Sequence, residues 1–439
     1  MMKRTLASFL RSAGLAAALT AAIGVTGGAL VACGGGDPAP DCTADTLDFS
    51  YPDIALRGAV RLAEATKGVP YAATPRLQGV PEACLDGRRF TVAGNLPAGM
   101  TLDATTGRLS GVPSTAGIAY FTVLVDVPLL PDGRYAPISM YVADASRYAY
   151  AGWDDTTGGH AIPAGALHLD SLGGSLLLTL AGTDTLQTTR SSDGGATWVA
   201  DVPASAPPMR SRPAIASDGS HLVVAGGLGA GGLLGDVWVF DGSAWNQATA
   251  SAGFGARQSA VLFFSGGHLL LVGGDDDVST HTDVWRSEDL GASWTQVSAD
   301  AYGETIPPRA TCGADLGGRP VIVSSAFVYG TGTHPGTEIW SSDDGGGSWQ
   351  RATPPAGSPL DAADGGSGQC YSAGGQLFVL GIDGSWGTVR AMVSSADLMA
   401  WYFQPRAEAF LGSDPIPGTS VLAGRLYAAF GATVFVTTP

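Results

Sequence analysis

The chain has 439 residues, 45% hydrophobic and only 14% charged, enough to bury the cores of two or three domains. Its 64 glycines and 27 prolines favour short strands and tight turns over long helices. Lys3 and Lys67 are the only lysines, and the formal charge of −16 deepens to −19 once residues 1–32 are set aside, which argues against the folded part binding nucleic acid or an anionic membrane directly.

Lys3, Arg4 and Arg11 flank the start of an apolar, alanine-rich run that extends from Leu15 to Val31, the charged and apolar regions of an export signal. The run ends in Leu30-Val31-Ala32-Cys33 ahead of three glycines. Small residues before a cysteine resemble the lipobox of bacterial lipoproteins. That resemblance implies that residues 1–32 are a signal peptide and that Cys33 carries lipid at the head of a tether over 33–44. With no aspartate directly after Cys33, it also implies the outer membrane of a bacterial envelope, on its periplasmic or surface side. An uncleaved transmembrane anchor is the alternative. No other run of about 18 apolar residues occurs, so the lipid is the expected membrane contact.

Four cysteines remain: Cys42, Cys84, Cys312 and Cys370. An even number in an exported chain suggests two disulfides. The division into domains favours Cys42–Cys84 and Cys312–Cys370 among the three pairings, with free buried thiols as the alternative.

Over 45–145 the informative stretch runs from Asn95-Leu96-Pro97-Ala98-Gly99 through Leu102-Asp103 and Thr106-Gly107-Arg108-Leu109-Ser110-Gly111 to Phe121-Thr122-Val123-Leu124-Val125-Asp126. Apolar residues spaced by two, with Gly and Pro at the corners, describe short strands joined by tight turns. Residues 96–126 resemble the He_PIG-type Ig-like domain of bacterial surface proteins, which implies a small β-sandwich over 45–145 and says little about activity.

The remainder, 146–439, repeats. Ser191 to Trp198, Ser287 to Trp294 and Ser342 to Trp349 all fit S-x-D-x-G-x-[TS]-W, with degenerate copies ending at Trp245 and Trp401. The five tryptophans stand 47, 49, 55 and 52 residues apart, one four-stranded unit per step. Apolar strands recur at 175–182, 221–227, 268–274, 320–325, 376–381 and 426–431. Asp236-Val237-Trp238, Asp283-Val284-Trp285 and Glu338-Ile339-Trp340 follow the second, third and fourth of them. The first pattern resembles the Asp-box of BNR repeats in sialidase-like propellers, and the second resembles kelch repeats. Together they imply an all-β chain in which the Ig-like sandwich precedes a β-propeller. Six apolar strands, read as the inner strands, suggest six blades. The last would begin near Gly418 and close with an N-terminal strand around Tyr148–Trp153.

Asp193, Asp289 and Asp344 are expected to bond their own turns, with Trp198, Trp294 and Trp349 as structural partners. Sialidase-like chemistry would need an arginine cluster, a Tyr/Glu pair and an acid/base carboxylate. Arg212, Arg257 and Arg309 recur just before strands and are the candidate ligand-binding residues, together with segments 228–235 and 275–282. Tyr371 and Glu304 are the nearest Tyr/Glu candidates, and no spacing links them. Asp275-Asp276-Asp277 with His281 lacks the spacing of a calcium loop, and the six histidines form no zinc-type pair. No catalytic residue, metal or cofactor is therefore expected. The reading is a lipid-anchored envelope protein whose propeller binds a protein or glycan at its axial face, without nucleic acid. A sialidase-like glycoside hydrolase and a dedicated carbohydrate-binding module are the alternatives.

Overall fold

The computed structural model describes residues 42, 47–57, 60–128, 130–147, 152–153, 160–203, 205–303, 309–325, 337–355, 369–382, 390–404, 415–423, 425–430 and 433–438. The expected signal peptide, Cys33 and, apart from Cys42, the tether lie outside the described residues. Strands dominate, with short 3-10 turns between them, and no helix among the described residues is long and apolar enough to cross a membrane.

Alternation in the sequence becomes a two-faced hairpin of Gly117–Val127 and Leu130–Ala143. Phe121, Val123 and Val125 point inward with Ile138 and Met140, while Tyr120, Leu124 and Tyr135 stand on the outer face. The hairpin is the centre of a five-stranded sheet. Ala55–Arg57 and Val60–Thr66 lie on one side and Arg89–Gly94 on the other. Tyr71–Ala73, Leu109–Gly111 and Met100–Leu102 form a second sheet, and Asp48–Ser50 pairs with Arg76–Gln78. The core between them holds Phe49, Tyr51, Phe90 and Met100. Cys42 is bonded to Cys84, with 5.6 Å between their Cα atoms.

The turn of this unit shows why its sequence is constrained. Asp103 Oδ1 accepts the N–H groups of Thr105 and Thr106 at 2.9 and 2.8 Å. Gly107 then adopts φ +71°, and its carbonyl accepts the Tyr51 hydroxyl at 2.6 Å. A Cβ on Gly107 would sit 2.6 Å from the Phe90 ring. Gly107→Ala is therefore expected to cost about 2–4 kcal/mol, left-handed strain plus overpacking, read as a lowered denaturant midpoint. An unchanged midpoint would mean the turn can relax away from Phe90.

Five four-stranded sheets and one of five strands follow. The first orders Ala166–Leu172, Ser175–Ala181, Leu186–Ser191 and Val199–Ala200. The second orders Ala214–Ser217, Leu222–Ala225, Val237–Phe240 and Trp245–Thr249. The third runs Val261–Ser265, His268–Asp275, Thr280–Ser287 and Thr295–Ser298. Arg309–Asp315, Pro320–Ser325, Thr337–Ser341 and Gln350–Arg351 make the fourth, and Gln369–Ala373, Gln376–Ile382, Arg390–Ser395 and Tyr402–Phe403 the fifth. The sixth orders Pro415–Leu422, Arg425–Phe430 and Thr433–Thr438, and this last strand pairs with both Gly152–Trp153, through Gly152↔Thr438 and Trp153↔Thr437, and His160–Ala161, through His160↔Val434 and Ala161↔Thr433. The last strand of the chain thus pairs with a segment some three hundred residues earlier.

The apolar strands read as inner strands are the second strand of each sheet. Another strand precedes each of them and takes the end position. The second strands are apolar on both sides because both faces of each sheet are covered. Leu172 and Leu177 pack with Ile215 and Phe240 of the second sheet. Val223 and Val237 meet Leu262 and Leu269. Phe263 and Leu270 meet Ile322 and Trp340. Val321 and Ile339 meet Leu377 and Trp401, and Phe378 and Leu380 meet Leu426 and Phe435. Tyr427 and Val434 of the sixth sheet pack on Leu169 and Leu178 of the first. Tyr141 and Ala143, from the long hairpin of the Ig-like part, rest on the cluster between the fourth and fifth sheets.

Candidate functional site

Three groups of residues carry the sequence patterns, and each has a distinct place. In the Asp-box turns the carboxylates serve their own backbone. Asp344 Oδ1 accepts the Ser348 N–H at 2.8 Å and the Ser342 hydroxyl at 2.7 Å, and Oδ2 accepts the Ser348 hydroxyl at 2.7 Å. The arrangement repeats at Asp193 with Thr197 and Ser191 and at Asp289 with Ser293 and Ser287. Trp294 and Trp349 donate their indole N–H to the carbonyls of Gly291 and Gly346, each at 3.0 Å. Trp198 packs at the edge of the cluster between the sixth and first sheets.

These hydrogen bonds hold the Asp344 carboxyl down at about 2, the backbone N–H of Ser348 contributing most. They also lower Asp193 and Asp289, where the side chains of Thr197 and Ser293 lead. A depressed folded-state value means that the stabilisation is complete above the unfolded value of 3.8 and is lost as pH falls through the folded one. Thermal midpoints are therefore expected to drop between about pH 4 and pH 2, and Asp344→Asn should flatten part of that drop. An unchanged acid limb in that variant would remove Asp344 from the account.

The repeated arginines lie two residues away from one of the expected positions. Arg210, not Arg212, is the counterpart of Arg257: both stand twelve residues after a repeat tryptophan and twenty-six before an aspartate. Arg210 is 1% exposed, and its guanidinium meets Asp236 in two bonds of 2.6 and 3.0 Å. It also donates to the Gly226 carbonyl at 3.1 Å. Arg257, 4% exposed, meets Asp283 at 2.7 and 3.2 Å and donates to the carbonyls of Gly273 and Phe254. The tryptophan two residues on completes each unit: Trp238 donates to Asp236 at 2.8 Å and Trp285 to Asp283 at 2.7 Å. Burial alone would push the Asp236 carboxyl up. The hydrogen bonds from Arg210 and Trp238 outweigh it and hold the group below its usual range.

Arg212 is exposed, at φ +50°, and its carbonyl accepts the Ser259 N–H at 3.0 Å. Arg309 opens its strand, and its side chain lies outside the described residues. In the same sheet Glu338 accepts from Trp340 at 3.3 Å and pairs with Arg351 at 2.7 Å. Arg212 and Arg257 are therefore not brought together as free guanidinium groups. The missed signal was the fixed offset from each repeat tryptophan.

The structure also contains a cavity of about 440 Å³ lined by residues 168 and 170, 213–217, 260–264, 311–315 and 369–372. These belong to the first strands of five consecutive sheets and to the residues just before them. Cys312 and Cys370, bonded to each other with 5.8 Å between Cα atoms, are in its wall. They sit at matching register, opposite Val323 and Val379 of their second strands. His168 Nε2 is 3.4 Å from Asp170 Oδ2. Asp315 accepts the Ser265 hydroxyl at 2.5 Å and the N–H groups of Gly318 and Gly266 at 2.9 and 3.2 Å. Tyr371 is nearly buried, its ring stacked on Phe378, and Glu304 lies outside the described residues.

The two candidate loops are internally bonded. Within 228–235, Leu228–Gly229 and Gly232–Leu233 form a small sheet with Arg210–Ser211. Asp276 accepts the N–H groups of Val278 and Ser279 and pairs with His281 at 3.1 Å, and Asp277 accepts from Gln258. Among the described residues, no group of three His, Cys, Asp or Glu side chains could hold a metal ion.

Comparison with known proteins gives two findings. Residues 55–128 match the family described as "Putative Ig domain", a longer span than the 96–126 signature. A second similarity is to the human protein named multiple epidermal growth factor-like domains protein 8, with 29% identity over 181 residues. That alignment covers 38% of this chain and 6% of the human protein. The N-terminal unit of strands is thus an Ig-like domain, followed by a series of small antiparallel sheets.

Proposed function

We propose that residues 146–439 form a six-bladed propeller of kelch and Asp-box type whose axial cavity binds a glycan without turning it over, on a chain exported and anchored through lipid on Cys33. Support for the blades comes from the matching strand order of the six sheets, from the apolar cluster between sixth and first, and from Gly152–Trp153 lying beside Thr433–Thr438. Joining the two ends of the array in this way leaves no exposed terminal sheet. The observation that carries the functional reading is the cavity: first strands of five sheets line it, and no arginine or lysine is among its described lining residues. A sialidase-like reaction needs free arginines to clamp a carboxylate, and Arg210 and Arg257 are already engaged by Asp236 and Asp283.

The test uses the full chain purified in detergent on a printed glycan array, with fluorogenic glycosides assayed in parallel. Selective binding is expected, with no turnover, and Ser372→Trp, which fills the cavity, should abolish it while the fold is kept by circular dichroism. Turnover of any glycoside would overturn the non-catalytic reading, and a blank array with capture of an envelope protein would replace the glycan. Incorporation of labelled palmitate that Cys33→Ser removes is the expected result for the anchor.

A further inference from the structure

Resting on the axial-cavity reading, we infer that the cavity selects uncharged, polyhydroxylated ligands and discriminates against sugar acids. Two features of its wall carry this. The first is the source of its hydrogen-bonding groups. Ala166–Leu172, Ala214–Ser217, Val261–Ser265, Arg309–Asp315 and Gln369–Ala373 are each the end strand of their sheet. A strand paired on one side only directs every second N–H and C=O away from its sheet. Five such edges facing one cavity supply a fixed array of neutral donors and acceptors. A hydroxyl group, which both donates and accepts, satisfies either kind. Among the wall side chains Ser372 adds a hydroxyl, those of Ser217 and Thr311 are donated to the carbonyls of Ser171 and Val323, and the short side chains of Ala214 and Ala216 crowd their edge little.

The second feature is charge. The ionisable acids and bases in the lining are Asp170, Asp315, His168 and Tyr371. The imidazole lies against Asp170, and Asp315 is held by the Ser265 hydroxyl and two backbone N–H groups. Asp170 and Asp315 are its carboxylates, and no arginine or lysine is among its described lining residues. A ligand carboxylate would enter a field of its own sign with no guanidinium to receive it.

The experiment is calorimetric titration of the full chain in detergent with matched sugars: lactose against 3′-sialyllactose, and cellobiose against its uronic acid. The neutral member of a pair is expected to bind and its acid to bind about tenfold more weakly or worse, the penalty for one carboxylate about 6 Å from another at an effective dielectric of about 40. The gap should narrow in high salt and in Asp170→Asn, while Ser372→Trp should abolish binding of the neutral sugar. Equal or tighter binding of the acid, in wild type, overturns the selectivity and leaves the cavity reading standing. Binding of the neutral sugar that survives Ser372→Trp places it elsewhere and overturns both. Binding of neither member of any pair also overturns both.

Discussion

Arg257→Ala is expected to destabilise the protein by about 3–5 kcal/mol, because it leaves the Asp283 carboxylate buried without its partner. The guanidinium makes two bonds to Asp283 and reaches the carbonyls of Gly273 and Phe254. It thereby joins the entry of the third sheet's first strand to its second strand, at Gly273, and to its third, at Asp283. Removing the side chain strips one partner from the carboxylate and two carbonyls, and leaves Asp283 the indole N–H of Trp285. Arg212→Ala, at an exposed position, is expected to change stability by less than about 0.5 kcal/mol. The double change Arg257→Met with Asp283→Leu should recover part of the loss, since an apolar pair of similar volume carries no desolvation cost while the Gly273 and Phe254 carbonyls and the Trp285 N–H lose their partner. Equilibrium denaturation of the three variants decides the matter. If Arg257→Ala kept full stability and lost only glycan binding, Arg257 would be a ligand residue and the buried-pair account would fail.

That contrast also marks how far the sequence could be read. The Asp-boxes, the tryptophan spacing, the alternation in 121–126 and both cysteine pairs were legible, and each reappears as a turn, a sheet, a hairpin or a disulfide. Arginine register failed because the residue that fixes it, Asp236 or Asp283, lies twenty-six positions downstream, at or just before the third strand of the sheet. Arg212-Pro213 simply offered a nearer arginine. Identification of the inner strands failed for a different reason. Hydrophobicity marks the strand covered on both faces, which is the second of each sheet. Strands lining the cavity mix small residues such as Ala216, Gly313 and Ser372 with large ones such as Leu262, Phe263 and Tyr371 and have no pattern of their own. A wall built from backbone edges leaves almost no side-chain signature, so the cavity was not legible before the five first strands were placed together.

Loss of the Cys312–Cys370 bond is expected to lower stability by about 4 kcal/mol, the loop entropy released to the unfolded chain by opening a link between residues 58 apart in sequence. The position makes the bond more than a generic staple. Arg309–Asp315 and Gln369–Ala373 are end strands of neighbouring sheets that share no backbone pairing, so only side-chain packing and this bond join them. Cys312 and Cys370 pack on the Val321, Val323 and Val379 cluster and at the same time line the cavity. Cleaving the bond frees two sections of wall to separate, so ligand affinity should fall together with stability. Cys42–Cys84 closes a comparable separation of 42 residues within the Ig-like part and should cost a similar amount, about 4 kcal/mol, without touching the cavity. Comparison of Cys312→Ser/Cys370→Ser with Cys42→Ser/Cys84→Ser separates the two effects: both pairs lower the denaturation midpoint, and only the first weakens glycan binding. Equal weakening by both would mean that the first bond acts on the cavity through global stability alone.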